Sequence, residues 1–318
     1  MEGSTGMTKV LIMGATGFIG RNLLIKLYKS PEYEITGFSR HANTLRNMYP
    51  KAKFIEGIYD ANFDFDCMVK GQDCVFHLIS TTYPATSNEN IQKEISDNIV
   101  AAVNFLESCI RNKVKKVIFI SSGGTVYGKT FKVPIKENTV TNPINSYGIQ
   151  KLTIEKLLYL YNYIHKLDYR VIRLANPYGP YQRVHSGLGV ISIFINKAIN
   201  NDPIQVFGDG NVIRDYIYID DVIEGIVNIT KYSGSERIFN LGSGKGTSIN
   251  EVIDEIEHVL NRRLKVKHVP GRAVDVPVNI LDMSLYNDEI DEISYTPMDL
   301  GIRKTIDFQL NHKDGING

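Results

Sequence analysis

The sequence lacks a charge bias, a cysteine framework and any long apolar run, and each absence excludes a class of protein. Basic and acidic side chains nearly cancel, 36 against 35, for a net charge of +1. That balance argues against a nucleic-acid or membrane-surface partner, which would need a one-signed field. There are three cysteines, Cys67, Cys74 and Cys109. Their spacing fits neither a metal finger nor a disulfide scaffold, so a reducing, cytoplasmic setting is expected. His77, His165 and His185 show no ligand spacing and no accompanying cysteine or carboxylate cluster, so they read as structural or surface residues and no metal is expected. No apolar run reaches the ~18 residues that would span a bilayer. Internal repeats and low-complexity segments are also absent.

What is present is the composition of an ordinary globular chain, 43% hydrophobic and 22% charged over 318 residues, enough for one large or two modest domains. Met1–Gly6 is small and polar and precedes a second methionine, Met7; it reads as an expression scar. Short β-rich runs then alternate with helical patterns. Strands are expected at Lys9–Met13, Glu34–Phe38, Cys74–Ile79, Lys116–Ile120 and Tyr169–Leu174. Helices are expected after Phe18, over Asn88–Arg111 and over Asn145–Lys166, from apolar residues recurring at helical spacing. This alternation implies an α/β fold, a Rossmann-type doubly wound parallel sheet with helices on both faces. Beyond residue 175 the pattern is mixed, with Pro and Gly clusters. The expected division is a first domain over 7–175 with a returning segment near 212–241, read below as dinucleotide-binding from its glycine loop, and a smaller mixed α/β domain over 176–211 and 242–312, left for the substrate.

Gly14-Ala15-Thr16-Gly17-Phe18-Ile19-Gly20 follows the first strand and opens the first helix. Gly14 permits the tight turn, Gly17 lets a pyrophosphate approach the backbone, and Gly20 permits close helix–strand packing. A glycine triplet alone is weak evidence; the strand–turn–helix context is what the mechanism requires. The second strand ends in Ser39-Arg40, where a carboxylate would hold a ribose 2′-hydroxyl and repel a 2′-phosphate. A hydroxyl and a guanidinium suit NADP as well as NAD, although an exposed arginine is also an ordinary surface feature. Tyr147 and Lys151 are four apart on a helix that Asn145 or Ser146 would cap, so they share a face. An ammonium near a phenol favours the phenolate and lowers its pKa, which equips a tyrosine as an acid/base beside a hydride transfer. Such a pair also arises by chance. Its weight comes from Ser122 and Thr125, which follow a strand end where ligands of parallel sheets bind and which offer a hydroxyl to a developing alkoxide.

These residues resemble the extended short-chain dehydrogenases, specifically the nucleotide-sugar epimerase/dehydratase family. The motifs are GATGFIG (14–20), VFHLIS (75–80), SSGGTVYG (121–128), SYGIQK (146–151), RLANPYGP (173–180), GDGNVIRDYIYIDDV (208–222), FNLGSG (239–244) and GRAVDVP (271–277), in the family's order. The resemblance implies that Tyr147 is the catalytic acid/base and that Lys151 holds the cofactor ribose. It implies that Gly14, Thr16, Gly17, Phe18, Ile19 and Gly20 contact the cofactor diphosphate. Leu78, Ile79, Ser80 and Asn98 would line the nicotinamide side and Pro177 would touch it. Asn176, Arg214, Arg272 and Asp275 would hold a nucleotide-sugar substrate, the arginines as guanidinium forks on phosphate. A homodimer through the helices over Asn88–Arg111 and Asn145–Lys166 is implied as well.

The chain departs from the family pattern in three places. Gly123 stands where the catalytic Ser or Thr is usual, so Ser122, with Thr125 as second choice, is expected to supply that hydroxyl. Ile58 replaces the adenine-contacting acid, with Asp60 out of register. Ser39 replaces the ribose-binding carboxylate. The Asp-Glu pair of 4,6-dehydratases is absent, Gly124-Thr125 standing there, which disfavours a dehydration that would need an extra acid and base. The expectation is redox chemistry at carbon 4 of a nucleotide-activated hexose, in polysaccharide biosynthesis. A UDP-hexose 4-epimerase of the UDP-glucose/UDP-galactose type comes first. An NADPH-dependent 4-keto reductase of a dTDP- or UDP-4-keto-6-deoxyhexose is the alternative. A non-catalytic dinucleotide-binding regulator comes third, since it would be expected to have lost Tyr147 or Lys151.

Overall fold

The computed structural model describes residues 6–84, 86–130, 132–184, 189–271 and 276–312. In chain order the elements are β1 (Thr8–Met13), α1 (Phe18–Tyr28), β2 (Tyr33–Ser39), β3 (Lys53–Glu56), α2 (Asp66–Val69), β4 (Cys74–His77), α3 (Ile91–Glu94), α4 (Ala101–Arg111), β5 (Lys116–Ser122), α5 (Ser146–His165), β6 (Asp168–Leu174) and β7 (Asn176–Tyr178). They continue with α6 (Val190–Ile199), β8 (Ile204–Phe207), β9 (Ile213–Tyr218), α7 (Ile219–Lys231), β10 (Ile238–Leu241), β11 (Gly246–Ser248), α8 (Ile249–Leu260), β12 (Val266–Val269), β13 (Val278–Asn279), α9 (Ser284–Glu289) and α10 (Met298–Asn311). A seven-stranded sheet runs β10-β6-β5-β4-β1-β2-β3. β1 pairs in parallel with β2 and β4, β2 with β3, and β4 with β5. The order reverses at β1/β4, the switch point of a doubly wound sheet, and ligands of such sheets bind beyond the carboxyl ends of the strands there. The Rossmann-type reading of the sequence describes this sheet. None of the described helices is long and apolar enough to cross a membrane.

Two compact units emerge, Met1–Ser121 with Asn145–Ile172 and Ser235–Ile238, and Ser122–Ile144 with Arg173–Gly234 and Phe239–Gly318. The segment 122–144, assigned in sequence to the dinucleotide-binding domain, groups with the second unit. Its anchors explain this: the Gly123 N–H donates to the Leu174 carbonyl at 2.8 Å, and the Tyr127 hydroxyl donates to Asn240 at 2.7 Å. The segment returning to the first unit is 235–238, shorter than the 212–241 expected. In this second unit β9 pairs with β7, β11 and β13, and β8 pairs with β12.

The first unit's core is apolar on both sheet faces, as buried parallel strands require. Leu11, Met13, Val75, Val117, Phe119 and Val171 pack with Phe105 and Leu106 of α4 and Ile154 and Leu158 of α5. α5 is well terminated. The Asn145 side chain accepts from the Gly148 N–H at 2.8 Å, and Lys166 closes the helix in the left-handed region. The pattern over Asn88–Arg111 is one helical path, but a π turn over Ile95–Val100 separates α3 from α4. Such insertions concentrate at functional sites.

Candidate active site

The glycine turn sits at the switch point. Gly14 takes φ +93°, in the left-handed region, and its N–H donates to the Phe38 carbonyl at 2.7 Å, tying β1's exit to β2. A Cβ on Gly20 would collide with the Gly14 carbonyl, and one on Gly17 would lie 3.2 Å from it. The turn is therefore a cradle that only glycine leaves open. Gly17 is the N-cap of α1 and offers no side chain, so the N–H groups of the first turn are left for a ligand. A diphosphate fits that donor set, by charge and by hydrogen bonding. The loop after β4 lies alongside: the Leu78 N–H donates to the Met13 carbonyl at 3.2 Å, and Ile79 is 3.3 Å from where a Gly14 Cβ would be.

At the end of β2, Ser39 is buried and its Oγ has no hydrogen-bond partner among the described residues, while Arg40 is exposed. Ile58, in place of the expected adenine-side acid, is 63% exposed just beyond β3. Asp60 accepts its own turn's Asn62 N–H at 2.8 Å.

A small cavity in the first unit is lined by Ile79, Ser80, Asn98, Tyr147 and Lys151, all singled out from sequence, together with Tyr59, His77, Gln150 and Ile154. Asn98 lies in the π turn, buried, and braces the loop after Ser80. Its side chain accepts the Thr81 N–H at 3.1 Å and donates to the Thr81 hydroxyl at 2.7 Å. Lys151 is 6% exposed and donates to the Ile120 carbonyl at 2.9 Å. Its ammonium lies 4.8 Å from the Phe119 ring centre and 5.5 Å from that of Tyr147.

The electrostatics correct one expectation. Burial pushes the Tyr147 phenol up to about 12, so the nearby ammonium does not lower it in the free protein. Burial also pulls Lys151 down to about 8, opposed by the negative charge of Glu155. His77 was read as structural or surface; it is buried and lines this cavity. Its Nε2 lies 3.0 Å from the Tyr59 hydroxyl, and burial first, then Lys151, lowers its pKa to about 3. Gln150 donates to the buried Glu94 at 2.6 Å. Sequence spacing gave no sign of the His77–Tyr59 and Gln150–Glu94 contacts, since both join segments far apart in the chain.

The second unit carries the remaining candidates. Ser122 ends β5 and its carbonyl accepts the Thr125 and Val126 N–H groups at 3.3 and 3.1 Å. A Cβ on Gly123 would lie 2.6 Å from Leu281 Cδ1 and 3.1 Å from the Arg173 carbonyl, so a side chain there would require Leu281 to shift. Thr125 Oγ1 is buried with no partner among the described residues, while Ser122 keeps partial exposure. Asn176 donates to the Asp215 carbonyl at 2.9 Å, and Pro177 follows it on β7. Arg214 donates to the carbonyls of Ile213 and Val276 at 2.9 and 2.6 Å. The Asp215 carboxylate is taken up by the Ser243, Gly244 and Leu281 N–H groups. Arg272 and Asp275 lie outside the described residues, as does His185.

Comparison with known proteins gives the family. The family model for the NAD dependent epimerase/dehydratase family matches residues 10–242. A Methanocaldococcus jannaschii protein, provisionally assigned as a UDP-glucose 4-epimerase, is 32% identical over 95% of this chain and 99% of its own. The dTDP-4-dehydro-6-deoxyglucose reductase of Escherichia coli is 33% identical over 93% and 96%. The crystal structure of UDP-glucose 4-epimerase with UDP-glucose from Thermotoga maritima superposes with a TM-score of 0.89, at 29% identity, over 96% of this chain and all of that one. With its glycine turn at the sheet's switch point and its Tyr–Lys pair on α5, the chain belongs to the NAD-dependent epimerase/dehydratase family, the extended short-chain dehydrogenases that act on nucleotide sugars.

Proposed function

We propose that the chain is a UDP-hexose 4-epimerase of the UDP-glucose/UDP-galactose type, working through a retained NAD. The observation that carries this reading is the cavity in which Tyr147 and Lys151 meet the Ile79–Ser80 loop and Asn98. Gly14, Thr16, Gly17, Phe18, Ile19 and Gly20 would hold the diphosphate, and Ser39 and Arg40 the adenosine ribose. Leu78, Ile79, Ser80, Asn98 and Pro177 would hold the nicotinamide end. The bound dinucleotide supplies a hydride acceptor and donor. Tyr147 takes the proton from a sugar hydroxyl as carbon 4 is oxidised and gives it back on return. Lys151 holds a ribose and keeps positive charge beside the phenol. Ser122 or Thr125 donates to the sugar oxygen; the unpartnered Thr125 hydroxyl favours Thr125, because a buried hydroxyl is costly until it gains a partner. Asn176, Arg214, Arg272 and Asp275 would bind the nucleotide and sugar.

A second reading, an NADPH-dependent 4-keto reductase of an activated 6-deoxyhexose, is favoured by Ser39-Arg40 and the exposed Ile58 where acids would select NAD. Similarity to both an epimerase and a reductase leaves both chemistries open to one test. Purified protein is denatured to identify the released nucleotide, and intact protein is offered UDP-galactose without added cofactor. The epimerase releases NAD and converts the sugar. The reductase converts only a 4-keto sugar, and only with NADPH.

The same reading includes a homodimer in a cytoplasmic polysaccharide pathway. Its support is an exposed apolar stripe on α5, with Ile149, Leu160 and Tyr163 at 52, 45 and 68% exposure. Light scattering tests the dimer: Leu160→Asp with Tyr163→Glu is expected to give monomers.

A further inference from the structure

Lys151 has a charged neighbour on its own helix. One turn further along α5, Glu155 is 3% exposed, and its Oε1 accepts from the Ser121 hydroxyl at 2.5 Å. Ser121 is itself 2% exposed and follows Ile120, whose carbonyl receives the Lys151 ammonium at 2.9 Å. Two successive residues of β5 thus hold two opposite charges one turn apart on α5. A carboxylate on the core-facing stripe of a helix is unusual, because Ile154 and Leu158 show what such a stripe normally carries. Its burial is costly without a partner, and a fixed hydroxyl donor is in place.

We infer that Glu155 is a positioning residue for the proposed reaction: aimed by Ser121, its carboxylate holds the Lys151 ammonium from one helical turn away. This rests on the function proposed above. Glu155 is the negative charge that acts on Lys151, and the other titratable groups around the pair have their own surroundings. Tyr147 on α5 and Tyr59 beyond β3 are phenols held neutral by burial. His77 on β4 is held neutral by burial and by Lys151 itself. Tyr169 on β6 faces Glu155 and has its own phenol raised by burial. Glu94 of α3 accepts from Gln150 and Ser146, and Glu107 of α4 accepts from Tyr161. Burial draws Lys151 down to about 8 and Glu155 pushes it back up, so Glu155 sets how far into alkali the ammonium survives.

The test is the titration of Lys151, followed by NMR in lysine-labelled protein and assigned by the signal missing in Lys151→Arg. Glu155→Gln keeps an acceptor for Ser121 and removes only the charge. The Lys151 midpoint is expected to fall by about one pH unit or more, and the alkaline limb of kcat to move with it while KM changes little. Glu155→Asp is expected to restore most of the shift. Ser121→Ala, which keeps the charge but frees it to swing, should give an intermediate midpoint and decides the question should the Gln variant not fold. An unmoved midpoint in both variants overturns the inference. Absence of sugar turnover by the unaltered protein, with the midpoint still moving, overturns the enzyme reading and leaves the charge coupling standing.

Discussion

At the scale of single residues, burial raises the Tyr147 phenol and lowers the Lys151 ammonium, both away from the charged pair that the proposed chemistry uses. The phenol sits at about 12 and the ammonium at about 8. Activity that needs charged Lys151 should therefore decline as pH rises through about 8, and a kcat–pH profile checks it. A flat profile to pH 10 would remove the lysine from the mechanism. Thr125→Val and Ser122→Ala separate the two candidate hydroxyls. Loss of turnover in the first, with little change in the second, is expected from the Thr125 oxygen, which has no partner among the described residues. His77 makes a stability prediction. Its folded pKa of about 3 lies below the ordinary 6.5, so between those values the unfolded chain binds the extra proton. Stability from this group is complete above pH 6.5 and is lost as pH falls towards 3. Urea midpoints of the native chain should drop across that window, and those of His77→Gln should drop less.

At the scale of elements, the glycine turn separates folding from binding. Gly20→Ala drives a methyl into the Gly14 carbonyl and should lower the melting temperature and abolish dinucleotide binding together. Gly17→Ala meets only a 3.2 Å contact, so the fold should survive while affinity, read by nucleotide titration, falls at least roughly tenfold as the methyl occupies the phosphate's place. Much of this was legible in sequence. β1, β4 and β5 are apolar runs because both faces of a parallel sheet are covered, β2 and β6 show through their β-branched and aromatic residues, and α1 and α5 carry helical apolar spacing with recognisable starts. β3 escaped notice because Lys53–Glu56 is short and polar at a sheet edge. The π turn escaped because one inserted residue barely disturbs the apolar period. The Tyr147–Lys151 pair is visible as an i, i+4 spacing. Glu155 repeats that spacing, and a charge on the buried stripe is the signal that would have found it. Its partner Ser121 is set by packing of α5 on β5, which no local pattern reports. Gly123 was visible as a departure, but the side chain that crowds it, Leu281, lies far along the chain.

At the scale of the whole molecule, two compact units each contribute candidates, the first the glycine turn and the Tyr–Lys cavity, the second Ser122, Thr125, Asn176 and Arg214. Sequence order hid that division because 122–144 follows β5 directly yet is anchored to Leu174 and Asn240. In the proposed reaction Tyr147 moves the proton while carbon 4 of a nucleotide hexose changes oxidation state. Interconversion of UDP-galactose and UDP-glucose by the native chain and by Tyr147→Phe, at equal bound nucleotide and without added cofactor, tests it most directly. Turnover is expected in the native chain, with a loss of roughly 10²–10⁴-fold in the phenylalanine variant and sugar-nucleotide affinity retained. Equal rates in the two proteins would contradict it.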